Sequence, residues 1–148
     1  MSIRRRDLIK AGSSAIALLS LPLPVRGAVA TLLAEDFGTR PIIEDRVRLR
    51  VPALAENGNS VPLDVSVDSP MSANDFVQAL HIYAEKNPEP RVAKMRFFPG
   101  SGKAEISTRI RFSDSQVIVA VAEMSDGSLW SASGKTIVTI AACVDQIL

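Results

Sequence analysis

The chain has 148 residues, a length typical of one domain, and it carries 17 basic and 16 acidic residues. Five of the basic residues but only one acid lie within residues 1–30, so 17 less five and 16 less one leave 12 basic and 15 acidic residues, a net charge of −3. A mildly acidic domain without a basic stripe or a polybasic segment is a poor candidate for binding nucleic acid or an anionic membrane surface.

Residues 1–30 are predicted to be a removable export signal. Basic residues are followed by an apolar stretch from Ala15 to Leu23, and Ala28 and Ala30 form an Ala-x-Ala cleavage pattern. The apolar stretch is too short to span a bilayer as a helix. We therefore expect the mature domain to begin at Thr31, with no membrane anchor.

The leader also contains a twin-arginine pattern. Arg5 and Arg6 are followed by one polar residue, two apolar residues and Lys10. This arrangement predicts export to the periplasm by the twin-arginine pathway, in which a receptor reads the arginine pair. An ordinary Sec leader with three arginines is the alternative.

The first strands of the mature part are marked by alternation of apolar and polar residues, the period of a half-buried strand. The alternating segments are RVRLRV (46–51), LDVSV (63–67) and AEISTRIRF (104–112), and KTIVTI (135–140) is expected to be the final strand. QVIVAVAEM (116–124) is almost wholly apolar, which predicts a central strand covered on both faces. KMRFF (94–98) is expected to be a short strand, whereas FVQALHIYA (76–84) is ambiguous by period alone.

Turn signals separate these segments, most clearly at Asn57-Gly58 and Asp126-Gly127. Only TLLAEDFG (31–38) looks helical. About seven strands joined by short turns predict an all-β antiparallel sandwich over residues 31–140, followed by a C-terminal arm at 141–148.

Two motifs invite functional readings that their residues do not support. PGSGKA (99–104) lacks the pattern of a phosphate loop, because Phe97 stands where a glycine is needed and Ala104 follows the lysine in place of Ser or Thr. A surface hairpin loop is expected instead.

His81 is the only histidine, and one His with one Cys cannot supply a zinc site. An ordinary strand histidine is favoured over a Cys-His catalytic pair.

The remaining polar and aromatic residues give no site. The acids, Glu35 and Asp36 among them, are scattered and form no recognisable acid–base couple, so we expect them on the solvated surface. Trp130, after a turn signal, is expected to pack in the core or on a hairpin. The sequence predicts no cofactor and no metal.

Cys143 is the single cysteine, so it cannot form an internal disulfide. In an oxidising compartment an odd cysteine suggests an intermolecular disulfide or a reactive thiol. The residue follows the last predicted strand, where a thiol is accessible if the segment leaves the domain and inert if the strand continues and buries it. Local sequence leaves both alternatives open.

Several motifs together resemble a known family. They are ENGNSVP (56–62), SPM (69–71), HIYAEKNPEP (81–90), STRIRF (107–112) and SDGSLW (125–130). In this order and spacing the chain resembles SoxY, the sulfur-carrier subunit of the bacterial Sox system for thiosulfate oxidation. The resemblance implies an immunoglobulin-like sandwich, a periplasmic heterodimer with SoxZ, and a carrier that Sox-type enzymes act on rather than an enzyme.

The resemblance also implies a role for Cys143. The family's C-terminal cysteine lies in a GGCGG arm and carries sulfur intermediates covalently between enzymes. Here Ala141, Ala142, Val144 and Asp145 replace the four glycines. Val144 is stiff, and the charge of Asp145 opposes thiolate formation. The alternative function is therefore a SoxY-like interaction module without carrier function, in which Cys143 is structural or forms an inter-chain disulfide. A thiol enzyme acting by itself lacks a credible base.

Overall fold

The computed structural model describes residues 27–141. In this part of the chain one helix precedes nine strands. The elements are α1 (Ala28–Phe37), β1 (Ile42–Glu44), β2 (Val47–Arg50), β3 (Leu54–Asn57), β4 (Val61–Val67), β5 (Val77–Ala84), β6 (Arg91–Arg96), β7 (Glu105–Ile110), β8 (Gln116–Met124) and β9 (Leu129–Ile140).

The strands form two sheets that pack as a sandwich. One sheet has the order β1-β9-β8-β5-β6, with β3 also paired to β9, and the other has the order β2-β4-β7. All pairings are antiparallel except those of β1 and β3 with β9, which are parallel. The predicted sandwich is confirmed. The strand number is nine instead of about seven, because β1 and β3 are too short to show a clear alternation.

The main core lies between the two sheets. On β4 the inward positions are Val61, Leu63, Val65 and Val67, and their alternation with polar neighbours matches the sequence prediction. Their partners across the core come from β5 and β8, together with Phe112, which is fully buried.

A second, smaller core lies on the opposite face of the six-stranded sheet. Val29, Leu33 and Phe37 follow one another at intervals of four, so they share one side of α1 and are buried against the sheet. Val119 and Val121 of β8 face them, whereas alternate residues of the same strand face the main core. The apolar run at 116–124 is therefore a central strand covered on both sides, as predicted.

Tertiary structure decides the segments that the sequence left open. FVQALHIYA is a strand, β5, held between β8 and β6. KMRFF is shifted, because β6 starts at Arg91 and ends before Phe97. PGSGKA contains a short 3₁₀ turn at Pro99–Ser101 and is a loop, exposed except for the buried Ala104. The expected hairpin was wrong, because this loop joins β6 of one sheet to β7 of the other. The predicted helix exists, but it begins at Ala28, three residues earlier than expected.

Several predicted features lie outside the described residues. They include the twin-arginine pair Arg5 and Arg6, the apolar part of the leader, and Cys143 with the rest of the arm beyond Ala141. Within residues 27–141, no helix has the length and apolar character needed to cross a bilayer.

Candidate functional site

The C-terminal end of β9 is the described structure nearest in sequence to Cys143. β3 runs parallel to this end, with Leu54 opposite Ile137 and Asn57 opposite Ile140. The amide of Gly58 donates a hydrogen bond to the carbonyl of Ile140 at 2.8 Å. The last strand is therefore held in the sheet up to Ile140, and the cysteine follows three residues later in the sequence.

Large apolar side chains are exposed on this β3–β9 pair. Leu54, Ile137 and Ile140 are 60%, 52% and 62% exposed. Leu54 and Ile137 are register partners and therefore share one face of the paired strands, whereas Ile140, three residues beyond Ile137, points to the other face. We call Leu54 and Ile137 the β3–β9 apolar surface. Single exposed apolar residues are common on soluble proteins, whereas contiguous apolar patches mark interaction sites.

Two acids at the surface, Glu35 and Asp36, also join the helix to the sheet. Tyr83 of β5 donates a hydrogen bond to Asp36 at 2.7 Å, and Arg91 of β6 forms ion pairs with Asp36 at 3.0 Å and Glu35 at 2.8 Å. The pKa of Asp36 is lowered, chiefly by the hydrogen bond from Arg91 and then by that from Tyr83, against an opposing effect of burial. Asp36 is thus at the surface, as expected, but its partners lie 47 or more positions away and leave no local signal in the sequence.

His81 lies in β5, as expected of a strand histidine, but its environment is unusual. Its ring meets Phe37 edge-on at 4.9 Å and is nearly parallel to Tyr83 at 6.3 Å. Nε2 is buried and has no hydrogen-bond partner among the described residues, since Glu123 Oε2 is 3.9 Å away. Burial and then the charge of Lys94 lower the pKa of His81, and together they outweigh the opposing charge of Glu123.

Trp130 is half-buried on β9 and packs as the sequence suggested. Its indole N–H donates to Ser128 Oγ at 3.0 Å, and the guanidinium of Arg46 lies 4.9 Å from the ring centroid. This cation–π contact ties the strand to the segment before β2. These contacts indicate a structural role for Trp130.

A metal centre finds no support in residues 27–141, where no group of three or more His, Cys, Asp or Glu side chains could hold an ion. The possible pairing of His81 with Cys143 is not tested, because the cysteine lies outside the described residues.

Comparison with known proteins identifies the family. The model of the family described as sulfur oxidation protein SoxY matches residues 33–143, about three quarters of the chain. The chain belongs to the SoxY family. The match reaches the position of the single cysteine, and the resemblance inferred from the sequence motifs is confirmed. Membership in a family of sulfur carriers supports a sulfur-carrier role for this SoxY-family chain.

A solved structure agrees with this assignment. The sulfur carrier protein SoxY from Chlorobium limicola f thiosulfatophilum is 30% identical, with a TM-score of 0.63, and the alignment covers 76% of this chain and 96% of that one. The shared fold is the immunoglobulin-like sandwich that the resemblance implied. Among curated proteins no match to the chain was found.

More distant structures share only the fold. A superoxide reductase from Ignicoccus hospitalis is 18% identical with a TM-score of 0.57, and covers 65% of this chain and 82% of its own. One from Nanoarchaeum equitans is 12% identical with a TM-score of 0.54, and covers 64% and 99%. At these identities the similarity concerns the sandwich architecture and not the chemistry.

Proposed function

We propose that this SoxY-family chain is a periplasmic carrier that holds thiosulfate-derived sulfur covalently on Cys143. The observation that carries the proposal is the family match, which extends to residue 143. The chain holds no second cysteine that could take the role. Export through the twin-arginine pair, Arg5 and Arg6, would deliver the carrier to the periplasm.

The proposed chemistry uses the thiol as a handle. Joining the Cys143 thiol to thiosulfate forms one S–S bond and releases one proton and two electrons, which the loading enzyme must accept. Hydrolysis then releases sulfate and leaves a persulfide on the cysteine. The thiolate is the reactive form in such exchange. The carrier supplies the sulfur atom of attachment, and Sox-type enzymes supply the catalysis.

The residues beside the cysteine favour a second candidate function. Ala141, Ala142, Val144 and Asp145 replace the glycines of the family arm and should restrict backbone freedom around the thiol. In the alternative, the chain is an interaction module that keeps the sandwich and its partner surface, and Cys143 is structural or links two chains through a disulfide.

A SoxZ-like protein is the proposed partner in both functions. The β3–β9 apolar surface is the part of the described domain best suited to meet it, because its two side chains are exposed, share one face and lie on β9, the last strand before Cys143 in the sequence, and on its neighbour β3. A partner seated there would bury apolar area on the strand that precedes the thiol-bearing segment in the sequence.

Intact mass spectrometry tests the proposed carriage. Protein purified from its host without reductant should show mass increments of sulfur or thiosulfonate on the C-terminal peptide, and reductant should remove them. Cys143→Ser should abolish these increments and leave the fold intact. A mass equal to that of the bare chain would count against carriage, and a disulfide-linked dimer would favour the interaction module.

A further inference from the structure

A cleft lies on the helix side of the six-stranded sheet, away from the β3–β9 apolar surface. Its volume is about 330 Å³, within the range of small-ligand sites, and residues from α1, β5, β6 and β8 line it. His81 and Lys94 are cross-strand partners in its wall, and Glu123 of β8 lies beside His81. The cleft therefore brings charged side chains from four elements together.

Three basic and three acidic side chains surround the cleft, because Glu35 also pairs with Arg91, at 2.8 Å. Arg40 pairs with Glu123 at 2.9 Å, and Arg91 pairs with Asp36 at 3.0 Å. Each of these acids is thus bound to an arginine. Lys94 also lines the cleft, and the hydrogen bonds and ion pairs within residues 27–141 include none from its ammonium group. The Lys94 ammonium and its three N–H donors therefore have no partner among the described residues.

The imidazole of His81 adds an unused polar group. Its side chain is 10% exposed, and Nε2 has no hydrogen-bond partner in the described structure. A buried polar atom without a partner is rare in folded proteins, because it loses its hydrogen bonds to water without replacement. At neutral pH burial favours the neutral ring, which still carries one N–H donor.

We propose that this cleft binds a small tetrahedral oxyanion of the sulfate or phosphate type, held by the Lys94 ammonium and the His81 imidazole. The Lys94 ammonium is a donor and the neutral imidazole carries one N–H, whereas an oxyanion accepts on every side. The unpaired donors of Arg40 and Arg91 extend the same surface at the rim. Sulfur carriage on Cys143 is a separate function, and this inference does not depend on it.

The proposal predicts a pH dependence. The groups that face His81 are Asp36 from α1, Tyr83 beside it on β5, Lys94 and Arg91 from β6, Glu123 from β8, and Arg40 after the helix. A bound dianion adds negative charge beside the ring, which favours the imidazolium. Sulfate should therefore raise the pKa of His81, and sulfate should bind more tightly as pH falls through that pKa.

The single histidine makes a direct test possible, because the imidazole gives one resolved NMR signal. The exported protein without a His tag is titrated with sodium sulfate and with sodium phosphate, with sodium chloride holding ionic strength constant. Titrations at pH 8 compare the sulfate affinities of the wild type and the variants while the His81 ring is neutral. A pH series with and without sulfate gives the pKa of His81. We expect a saturable shift of the His81 signal and a higher pKa in sulfate.

Lys94→Gln should weaken sulfate binding by roughly tenfold, the equivalent of one charge-assisted hydrogen bond. Lys135→Gln removes the same charge from an exposed position of β9 outside the cleft and should leave binding unchanged. Both lysines are exposed, so neither variant should affect folding. A shift that grows without saturation, or equal affinity in the two variants, would overturn the proposal.

Discussion

The hydroxyl of Tyr83 donates a hydrogen bond to the carboxylate of Asp36 at 2.7 Å, and this contact joins the helix to the sheet. Tyr83 is 1% exposed and its ring belongs to the smaller core with Leu33 and Phe37. Arg91 holds the same carboxylate from β6. Asp36, near the end of α1, thus anchors the helix to two strands. The apolar side of the helix is buried against the same sheet.

The anchor should be measurable by mutation. Tyr83→Phe and Asp36→Asn should each lower the free energy of unfolding by about 1–3 kcal/mol, because each leaves a partner of a charge-assisted hydrogen bond unsatisfied. The double variant should lose less than the sum, since both changes remove the same bond. Urea denaturation measures the free energy of unfolding of each variant. Asp64→Asn, an exposed carboxylate on β4, is the matched control and should change stability by less than about 0.5 kcal/mol. Strict additivity would show that the two groups do not interact.

Asp36 should also make stability depend on acid pH. Hydrogen bonds from Arg91 and Tyr83 hold its pKa in the folded protein below the usual 3.8. The carboxylate therefore contributes stability that is present above pH 3.8 and is lost as pH falls through the lower, folded-state pKa. The difference in melting temperature between wild type and Asp36→Asn should shrink as pH falls through this window. Asp114 and Asp126 also have a lowered pKa, so the difference between variants is the informative quantity. A constant difference would contradict the prediction.

The main core should depend strongly on Phe112. This side chain is fully buried between the sheets, whereas Phe98 is 66% exposed. Phe112→Ala should destabilise the protein by about 3–5 kcal/mol, through lost transfer energy and a cavity. Phe98→Ala is the matched control and should cost less than about 0.5 kcal/mol. Guanidinium denaturation of both variants gives the comparison, and similar losses would mean that Phe98 is buried in solution, for example by a partner.

The packing of Val29 bears on signal processing. Cleavage after Ala30, as the Ala-x-Ala pattern suggests, would remove Val29. This residue lies on the buried side of α1 and is 1% exposed. We expect the exported protein to keep this residue, with cleavage at or before the Gly27–Ala28 bond. N-terminal sequencing of the periplasmic protein tests this. A chain beginning at Thr31 should be less stable by about 1.5–3 kcal/mol, the value of one buried valine.

A second experiment tests which export pathway the leader uses. A variant with Arg5→Lys and Arg6→Lys should accumulate in the cytoplasm as the unprocessed chain, if a receptor reads the arginine pair. Normal periplasmic accumulation of that variant would indicate a Sec leader. A native mature chain that begins at Thr31 would instead show that the first helical turn is dispensable.

The β3–β9 apolar surface should decide partner binding. Leu54→Ser combined with Ile137→Ser should weaken the complex with the cognate SoxZ-like protein, because both side chains are exposed and lie opposite each other. Truncation of a hot-spot residue near the centre of an interface costs about 2 kcal/mol or more, about a thirtyfold loss of affinity. Phe98→Ser, at an exposed apolar residue on another part of the surface, is the control. Calorimetry measures the affinity of the wild type, the double variant and Phe98→Ser for the SoxZ-like protein. Equal affinities for all three would place the interface elsewhere.

The sequence by itself determined the class of fold and the family. Alternation in LDVSV and the apolar run QVIVAVAEM report the burial of one or both faces of a strand, and that burial is a local property of the pattern. The family motifs were likewise readable in the linear chain and agree with the match over residues 33–143. The single cysteine marked the candidate attachment residue, because no other residue type in the chain offers the same chemistry.

Only the tertiary structure decided what distant residues do together. Asp36 looked like a solvated acid, His81 like an ordinary strand histidine, and Lys94 like an exposed lysine of a short strand. Strand pairing sets His81 opposite Lys94, and helix docking brings Asp36 to Tyr83. A charge or a polar atom acquires its partner, or fails to, through contacts between segments far apart in the chain. Periodicity records which face of a strand is buried, but it holds no information about which residues of another element lie against that face.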